Sequence, residues 1–326
     1  MVTRNKERKE NITSEVKESE RSRIDELLTI VIPTLNEAEA IGKVLDELFK
    51  AGIKPEQVLV VDGHSTDKTP EIAASKGVKV IFQEGKGKGD ALKSAVKHVK
   101  TPYVLVMDGD YTYPATHIPA LLEKALRGGF DEVIGARVYG RKNIPLLNRV
   151  GNKVLTAIFN SLFGVHLKDL LSGMYLVRTE RLREIEWVSR GFSIEAEVAA
   201  HVISTTGRIA EVPIKYRKRR GKKKLRVLDG VRILLDSVRL AWRYNPAFFI
   251  FTLGSLTLIP GLALGCWLLY LYLARGVKRY FDTIISVTLI STGFISLILA
   301  ILALYLKRME VRILRRLDEL VKLSKS

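Results

Sequence analysis

The chain has 326 residues, of which 47% are hydrophobic, and its formal net charge is +18. This length allows one large folded domain with an appendage, and the single cysteine, Cys266, excludes an internal disulfide framework. The positive charge favours an anionic partner, which can be nucleic acid, a membrane surface or a phosphorylated ligand.

In chain order, residues 1–23 are polar and charged throughout and predict a flexible tail without a signal peptide. Residues 24–226 then alternate short apolar runs with helical patterns. The apolar runs predict strands over 27–33, 57–63, 78–83, 103–110 and 131–137. Helical periodicity and capping residues predict helices over 37–52, 65–77, 89–99 and 114–129. This order predicts an α/β fold with a mainly parallel sheet and helices on both faces.

Polar motifs follow four of these strands. Pro33-Thr-Leu-Asn-Glu37 comes after the first, Asp62-Gly-His-Ser-Thr-Asp67 after the second, Asp108-Gly-Asp110 after the fourth and Arg137 after the fifth. Each motif alone has the ordinary explanation of a turn or a solvated charge. Ligands of such sheets bind beyond the carboxyl ends of the strands, so four motifs at that edge predict a site.

Two carboxylates as close as Asp108 and Asp110 repel each other unless a positive charge lies between them. Mg²⁺ and Mn²⁺ prefer oxygen ligands and are commonly held by one or two carboxylates together with substrate phosphates. Gly109 is expected to leave room for a closely approaching ligand. The motif therefore predicts a metal site with Asp108 and Asp110 as ligands.

The C-terminal third changes character. Residues 227–246 repeat apolar side chains at helical spacing, with arginines off the stripe, and predict an amphipathic helix at a membrane surface. Residues 247–274 and 283–306 are uncharged and each long enough to cross a bilayer, so 247–306 is a predicted transmembrane hairpin. A basic tail, 307–326, follows. Buried core helices are the alternative for the two apolar segments, but such helices rarely lack a polar face over this length.

Charge around the hairpin predicts its orientation. Lysine and arginine crowd the segment before it and the tail after it, whereas the loop between the helices carries three. The positive-inside rule then places the large N-terminal part and both termini in the cytoplasm, in a protein of the cell membrane. The hairpin also offers a surface for homo-oligomers.

Taken together, the motifs resemble those of family 2 glycosyltransferases, which are inverting enzymes of the GT-A fold. Within that family the chain is most similar to dolichyl-phosphate or polyprenyl-phosphate hexose synthases, and its motifs most resemble those of archaeal members. The resemblance covers about residues 28–226. It is carried by "VIPTLNE", "VVDGHSTDKT", "GKGDA", "VMDGDYTYP", "IGAR", "NRVGNKV", "DLLSGMYLVR", "GFSIEAE" and "EVPIKYR".

The resemblance implies a nucleotide-sugar site built from matching positions: Pro33, Asn36, Glu37, Asp62, Lys88, Gly89, Asp108, Gly109, Asp110, Ser172, Gly173 and Glu197. In it Asp62 hydrogen-bonds the base, and Asp108 and Asp110 hold the metal and through it the diphosphate. Thr112 stands where several members have a metal-binding Gln, which leaves the third protein ligand open. Of the two glutamates in "GFSIEAE", Glu197 is expected to orient site groups, while Glu195 or Glu197 can instead be structural.

For the acceptor, the resemblance implies that Arg137, Arg149 and Asn152 bind the phosphate of a polyprenyl lipid. Residues 148–163 form an amphipathic segment that either rests against the bilayer or is an ordinary packed helix. Catalytic roles are implied for Asp110 and Asp169 and, in a mobile basic loop over the diphosphate, for Arg219 and Lys224. The loop departs from the family's R-x-x-G-x-S-K pattern, and its second reading is a polybasic stretch attracted to anionic lipid.

The expected reaction is transfer of a hexose, with inversion, from a nucleotide sugar to dolichyl or polyprenyl phosphate. A phosphate acceptor is already anionic, so alignment and charge stabilisation matter more than a strong base. UDP-glucose is the favoured donor, with GDP-mannose and UDP-N-acetylglucosamine open. The polyprenol, dolichol or undecaprenol, is also left open, and so is the metal ion, Mn²⁺ or Mg²⁺.

Three alternatives compete. A family 2 enzyme with another lipid or glycan acceptor would need a base, for which Asp169 is the candidate, and a polymerase would be expected to carry a Q-x-x-R-W-like motif. A nucleic-acid-binding protein explains the charge, but zinc spacing and RNA-binding aromatic signatures are missing. A catalytically dead scaffold has no use for paired aspartates.

Overall fold

The structure, a computed structural model, describes residues 26–187, 194–221, 239 and 242–323. In this part of the chain seven strands form one sheet in the order β3-β2-β1-β4-β6-β5-β7. The strands are β1 Leu28–Thr34, β2 Val58–Asp62, β3 Lys79–Phe82, β4 Tyr103–Val106, β5 Glu132–Tyr139, β6 Tyr175–Arg178 and β7 Ile209–Lys215.

The sheet is mainly parallel, which confirms the predicted fold class. β1 pairs in parallel with β2 and β4, β2 with β3, and β5 with β7. β6 is antiparallel to both of its neighbours, β4 and β5, and was not predicted. All five residues of β2 and all four of β4 are buried, as expected for apolar strands covered on both faces.

Seven helices accompany the sheet among these residues. They are α1 Ala38–Lys50, α2 Thr69–Ser75, α3 Lys88–Val96, α4 Ile118–Gly128, α5 Leu146–Phe163, α6 Thr179–Glu184 and α7 Ile194–Thr205. The core lies where α1 and α4 contribute their apolar faces, for example Leu45, Leu48 and Leu121, to the side chains of the central strands. Burial of such residues stabilises the fold by about 1.5–3 kcal/mol each.

Two long apolar helices form a second compact unit of the chain, α8 Pro246–Arg275 and α9 Tyr280–Leu323. Both are long and apolar enough to cross a membrane, and only 17% and 11% of their most apolar windows are buried. That exposure differs from a soluble core helix, whose apolar residues are covered. The predicted apolar hairpin is present, and α9 continues beyond the predicted end at residue 306 into the basic tail.

Some predicted features lie outside the described residues. These are the N-terminal tail 1–23, Lys224, and most of the predicted interfacial helix 227–246. The division of the chain into domains at the predicted boundaries stays a prediction.

Candidate active site

A cavity of about 840 Å³ opens at the carboxyl ends of β1, β2 and β4. Parallel pairing brings these ends together, with Thr34 of β1 opposite Asp62 of β2 and Val31 of β1 opposite Val106 of β4. The polar motifs that follow the strands therefore meet at one edge of the sheet. Pro33, Gly63, Asp108 and Arg137 all line the cavity.

Asp108 and Asp110 lie in different surroundings although one glycine separates them. The Asp110 side chain is buried, and its Oδ2 lies 3.0 Å from Nη1 of Arg219, while its Oδ1 accepts hydrogen bonds from the hydroxyl and the amide of Thr112. Asp108 is about one-third exposed, and its Oδ1 accepts a 2.7 Å hydrogen bond from Nζ of Lys88. Burial and the charge of Asp108 raise the pKa of Asp110, against the lowering effects of Arg219 and Thr112.

Thr112, the open third position, is fully buried and directs its hydroxyl to Asp110. It therefore orients a carboxylate within the Asp-Gly-Asp motif.

Two glycines hold the paired carboxylates in place. A Cβ on Gly109 would lie 3.1 Å from Thr34 and 3.3 Å from Ile32, so the missing side chain makes room for β1. Gly109 also lines the cavity, and the expectation that it leaves room for a ligand stays a prediction. A Cβ on Gly173 would overlap the carboxylate of Asp108, and the amide of Gly173 donates to the Tyr113 hydroxyl at 2.7 Å.

Lys88 joins Asp108 to a second carboxylate. Its Nζ lies 2.7 Å from Asp108 and 2.6 Å from Glu195, and Lys88 is the first residue of α3. Burial alone would lower the pKa of Lys88, but Asp108 and Glu195 raise it well above the ordinary value. The ammonium is therefore a permanent cation in the cavity wall. Gly89, predicted beside the nucleotide, lies buried in the first turn of α3.

Glu195, and not Glu197, faces this cavity. Both stand in the first turn of α7, but Glu195 lines the cavity, whereas Glu197 is fully buried and absent from the described lining. The expectation that Glu197 orients site groups stays a prediction. Positions i and i+2 of a helix point in different directions, and the sequence offered no signal for which of the two faces the site.

The charges of the cavity do not balance. Glu37 lies 2.7 Å from Nη2 of Arg219, so the four carboxylates of Glu37, Asp108, Asp110 and Glu195 surround the two cations Lys88 and Arg219. The lining also includes the cations Lys86, Arg137 and Lys218, so that five cations and four carboxylates face the cavity. Among the described residues there is no group of three or more His, Cys, Asp or Glu spaced to hold a metal.

The basic segment 217–221 crosses this part of the site. Arg217 forms a two-pronged ion pair with Glu47, at 2.5 and 2.8 Å, and its amide donates to the Thr112 carbonyl at 2.9 Å. The amide of Arg220 donates to the Asp110 carbonyl at 3.1 Å. These contacts hold Arg219 beside Asp110 and Glu37. A basic loop that covers the diphosphate is expected in this part of the site.

On the acceptor side, Arg137 and Asp169 form a buried pair. Asp169 accepts three hydrogen bonds from Arg137, from the backbone amide at 2.8 Å, Nε at 2.7 Å and Nη2 at 2.6 Å. Burial alone would lower the pKa of Arg137, but Tyr113 and Asp169 raise it well above the ordinary value. Because both oxygens of Asp169 are engaged, this carboxylate is poorly placed to act as a general base.

Asn152 belongs to the same cluster and Arg149 does not. With its amide oxygen turned toward Arg137, Asn152 accepts from Nη2 at 3.0 Å and donates to the Asn148 carbonyl at 3.1 Å. Both asparagines line the cavity. Arg149 is exposed one turn away on α5 and is absent from the described lining.

Helix α5 combines the two alternatives left open by its sequence. Leu155, Phe159 and Leu162 are buried, so one face is an ordinary packed face. At its N-terminal end, an apolar face next to the cavity-lining residues is more than half exposed, and its members are Leu146, Leu147, Val150 and Val154. Exposed apolar faces of this kind mark interaction surfaces.

Asp62 and Ser172, both predicted for the nucleotide-sugar site, form hydrogen bonds within the protein. Asp62 is fully buried, and its carboxylate accepts hydrogen bonds from Thr34 at 2.9 Å and from the amide and hydroxyl of Ser65 at 2.7 and 2.6 Å. Asp62 thereby shapes the loop after β2, and its hydrogen bond to the base stays a prediction. Ser172 is also fully buried and donates to the Gly135 carbonyl at 2.5 Å.

Pro33 lines the cavity as predicted. Asn36 is exposed with a φ of 52°, and its side-chain oxygen accepts from the amide of Thr66 at 2.7 Å. Asn36 therefore ties the loop after β1 to the loop after β2.

Comparison with known proteins agrees with this geometry. Residues 29–185 match the model of the glycosyl transferase family 2. Glycosyltransferase AglJ of Haloferax volcanii is 33% identical over 297 residues, which cover 89% of this chain and 97% of that protein. The chain belongs to glycosyl transferase family 2.

Other relatives refine the likeness. The dolichyl-phosphate hexose transferase of Haloferax volcanii is 39% identical over 204 residues, 62% of this chain and 88% of that protein. Among solved structures, glucosyl-3-phosphoglycerate synthase of Mycobacterium tuberculosis, in complex with Mn²⁺, UDP-glucose and phosphoglyceric acid, has a TM-score of 0.56 at 23% identity. The match covers 66% of this chain and 80% of that one. At this identity the likeness shows the shared fold, which is that of GT-A enzymes.

Proposed function

We propose that this family 2 glycosyltransferase transfers a hexose, with inversion, from a nucleotide sugar to the phosphate of a polyprenyl lipid such as dolichyl phosphate. The observation that carries the proposal is the Arg137–Asp169 pair. It provides a fixed cation in the cavity wall and engages both oxygens of Asp169. Such a site suits an acceptor that is already ionised and needs no base, which a phosphate monoester is.

Arg137 keeps capacity to bind that phosphate. Nε and Nη2 are directed to Asp169 and to the Leu171 carbonyl, at 2.9 Å, whereas Nη1 donates to no described residue. Arginine binds phosphate oxygens through charge-assisted hydrogen bonds. The dolichyl-phosphate hexose transferase named among the relatives supports the choice of lipid.

A divalent cation fits the donor side. Asp108 and Asp110 are the residues that would hold Mn²⁺ or Mg²⁺, because both ions prefer carboxylate oxygens supplemented by substrate phosphates. The position of both carboxylates in the cavity wall supports this assignment. When bound, the cation neutralises the diphosphate that leaves with the nucleotide. The neighbour that binds Mn²⁺ with UDP-glucose supports a cation, and UDP-glucose as the favoured donor.

The chain's own residues supply the rest of the chemistry. Arg219 and Lys218 face the cavity next to Asp110 and stabilise charge that develops on the leaving diphosphate. The amides of the first turn of α3 give a further anion site. Arg137 and Asn152 hold the attacking phosphate in line, which is worth more here than proton transfer.

The acceptor requires a membrane. The helices α8 and α9 are proposed to span it, with the catalytic domain and both termini on the cytoplasmic side, where lysine and arginine are enriched. The exposed apolar face of α5 lies beside Asn148 and Asn152 of the cavity wall and supports entry of the lipid there.

The test is transfer of label from UDP-glucose, GDP-mannose and UDP-N-acetylglucosamine to dolichyl phosphate, with the full chain in detergent and with or without Mn²⁺ or Mg²⁺. We expect one donor to label the lipid, only with a cation, and Asp110→Ala to abolish the label. Glu84→Gln is the matched control, because Glu84 is exposed and outside the described lining. If a donor binds but the lipid is not labelled, the acceptor is another lipid or a glycan. If no donor binds, the proposed function is refuted.

A further inference from the structure

The carboxylate of Asp62 accepts three hydrogen bonds within the protein, which leaves room for further groups in recognition of the donor's base. The relevant end of the cavity is formed by Gly63 and His64, which follow β2, and by Gln83, which follows β3. Gly63 and His64 belong to the predicted Asp62–Asp67 motif without an assigned role, and Gln83 was not singled out from the sequence. They lie at the carboxyl ends of neighbouring parallel strands.

Gln83 is a buried side chain with unused hydrogen-bonding capacity. It is 7% exposed, lines the cavity and donates from Nε2 to the Gly85 carbonyl at 3.1 Å. Its Oε1 accepts from no described residue, so one acceptor and one remaining N–H are available to a ligand.

The backbone holds Gln83 in a defined position. Its amide donates to the Asp62 carbonyl at 3.0 Å, and its carbonyl lies 3.1 Å from Nε2 of His64. A Cβ on Gly63 would lie 3.4 Å from Oε1 of Gln83 and 3.2 Å from the Thr34 carbonyl. The glycine therefore leaves the space in which the carboxamide reaches the cavity.

His64 adds a flat surface next to this amide. Its ring stacks on Phe82, with centroids 5.6 Å apart and an interplanar angle of 17°, and the residue also lines the cavity. A planar ring beside a hydrogen-bonding amide suits a planar heterocycle with polar edges. Aromatic side chains bind nucleotide bases by stacking, because every base has a flat π face.

We infer that Gln83 recognises the hydrogen-bonding edge of the donor's nucleotide base, with His64 as the stacking surface. The carboxamide offers Oε1 to a ring or amino N–H of the base and the free N–H of Nε2 to an adjacent acceptor. This inference rests on the proposed function, because it presumes that a nucleotide sugar is the donor.

The experiment compares ligands with and without a base. Binding of UDP, GDP and inorganic pyrophosphate is measured by titration calorimetry on the full chain in detergent with Mn²⁺, for wild type, Gln83→Met and Glu84→Gln. Methionine keeps the length of the side chain and removes its hydrogen bonds. We expect Gln83→Met to weaken the preferred nucleoside diphosphate about tenfold, the usual effect of about 1.4 kcal/mol. Pyrophosphate affinity should stay within about twofold, and Glu84→Gln should behave as wild type.

The outcomes separate the two proposals. If Gln83→Met binds the nucleoside diphosphate as wild type does, or loses pyrophosphate equally, the role of Gln83 is refuted while the proposed function stands. If wild type binds pyrophosphate but neither nucleoside diphosphate, the proposed function fails. Should Gln83→Met not fold, Gln83→Asn, which withdraws the amide by one methylene, gives the same selective loss on this inference.

Discussion

At the scale of single residues, Gly173 shows how a missing side chain sets the position of a functional one. Its Cα faces the carboxylate of Asp108 so closely that a methyl group would overlap it. The carboxylate is the end of a side chain that can rotate away, so the fold can accept the change more easily than the site can.

We therefore expect Gly173→Ala to leave the protein folded and to lower transfer activity at least tenfold, because Asp108 is displaced from its position over β6. The control is Gly151→Ala on α5, where nothing lies within 4 Å of the added methyl group and helix propensity favours Ala by about 0.5–1 kcal/mol. Thermal unfolding and initial rates are measured for both. Equal activity of the two variants would contradict this role.

Lys88 gives a second prediction at this scale. Lys88→Met would leave Asp108 and Glu195 facing each other without a cation, and loss of one member of a buried ion pair costs about 3–5 kcal/mol. We expect a marked fall in the unfolding temperature, which Lys88→Met combined with Glu195→Gln partly restores because one charge is removed.

Lys97→Met, which breaks an exposed pair with Glu84, is the control and should have no measurable effect on unfolding. Additive losses in the double Lys88 and Glu195 variant would show that the two residues act independently.

At the scale of elements, the Glu47–Arg217 pair anchors the basic segment to α1. Burial alone would raise the pKa of Glu47, but hydrogen bonds from Arg217 and from the amide of Ala115 lower it below the ordinary 4.5. A lowered pKa means that the pair stabilises the folded state fully above pH 4.5 and that this stabilisation is lost as the pH falls through the lowered value.

Accordingly, Glu47→Gln should lower the unfolding temperature at pH 7, and this effect should shrink as the pH falls through the lowered pKa of Glu47. The measurement is thermal unfolding of both proteins across this range. If the difference in unfolding temperature between the two proteins increased toward low pH, the stabilising role of the Glu47–Arg217 pair would be contradicted.

Helix α5 supports a prediction about the lipid. Replacing Val150 and Val154 by Asn removes apolar surface that is already exposed, so stability should change little. If this face lies on the bilayer, the KM for dolichyl phosphate in vesicles rises several-fold, while the KM for a short, water-soluble polyprenyl phosphate is unchanged. Leu126→Asn on α4, also an exposed apolar position, is the control. An equal change with both acceptors would locate the effect in the active site.

At the scale of the whole molecule, the two apolar helices contact each other through small residues. A Cβ on Gly293 would lie 2.6 Å from Leu258, and one on Gly261 would lie 2.9 Å from the Ile290 amide. Ser286 adds a 2.9 Å hydrogen bond to the Gly261 carbonyl. Small residues allow this close approach, which is the usual source of stability between apolar helices in lipid.

Gly293→Ala should therefore separate α8 from α9 and lower the unfolding temperature in detergent. Ala274→Val, at an exposed position of α8, is the control. If the two variants unfold alike, the hairpin does not depend on this contact. Homo-oligomers through the hairpin stay a prediction, since these glycines already serve the contact within one chain.

Much of the fold was predictable because its signals are local. The apolar runs that became β1 to β5, and the two long uncharged segments, depend on residues close together in the sequence. β6 and β7 are different, because neither was predicted as a strand. The segment Tyr175–Arg178, which forms β6, pairs antiparallel with β4 and β5, and only these distant partners identify it as a strand. The site was predictable as a set of motifs for the same reason as the sheet, because parallel strands bring their ends to one edge.

The sequence by itself determined the α/β class, the apolar hairpin, the Asp108–Asp110 pair and, through its motifs, the family. The tertiary structure alone decided which polar side chains face the cavity. It directed Asp62 and Ser172 into internal hydrogen bonds, selected Glu195 over Glu197, and brought Lys88 and Arg219 to the paired aspartates. The physical reason is that a side chain's partner depends on which distant segments pack beside it, and neither residue type nor spacing along the chain records that.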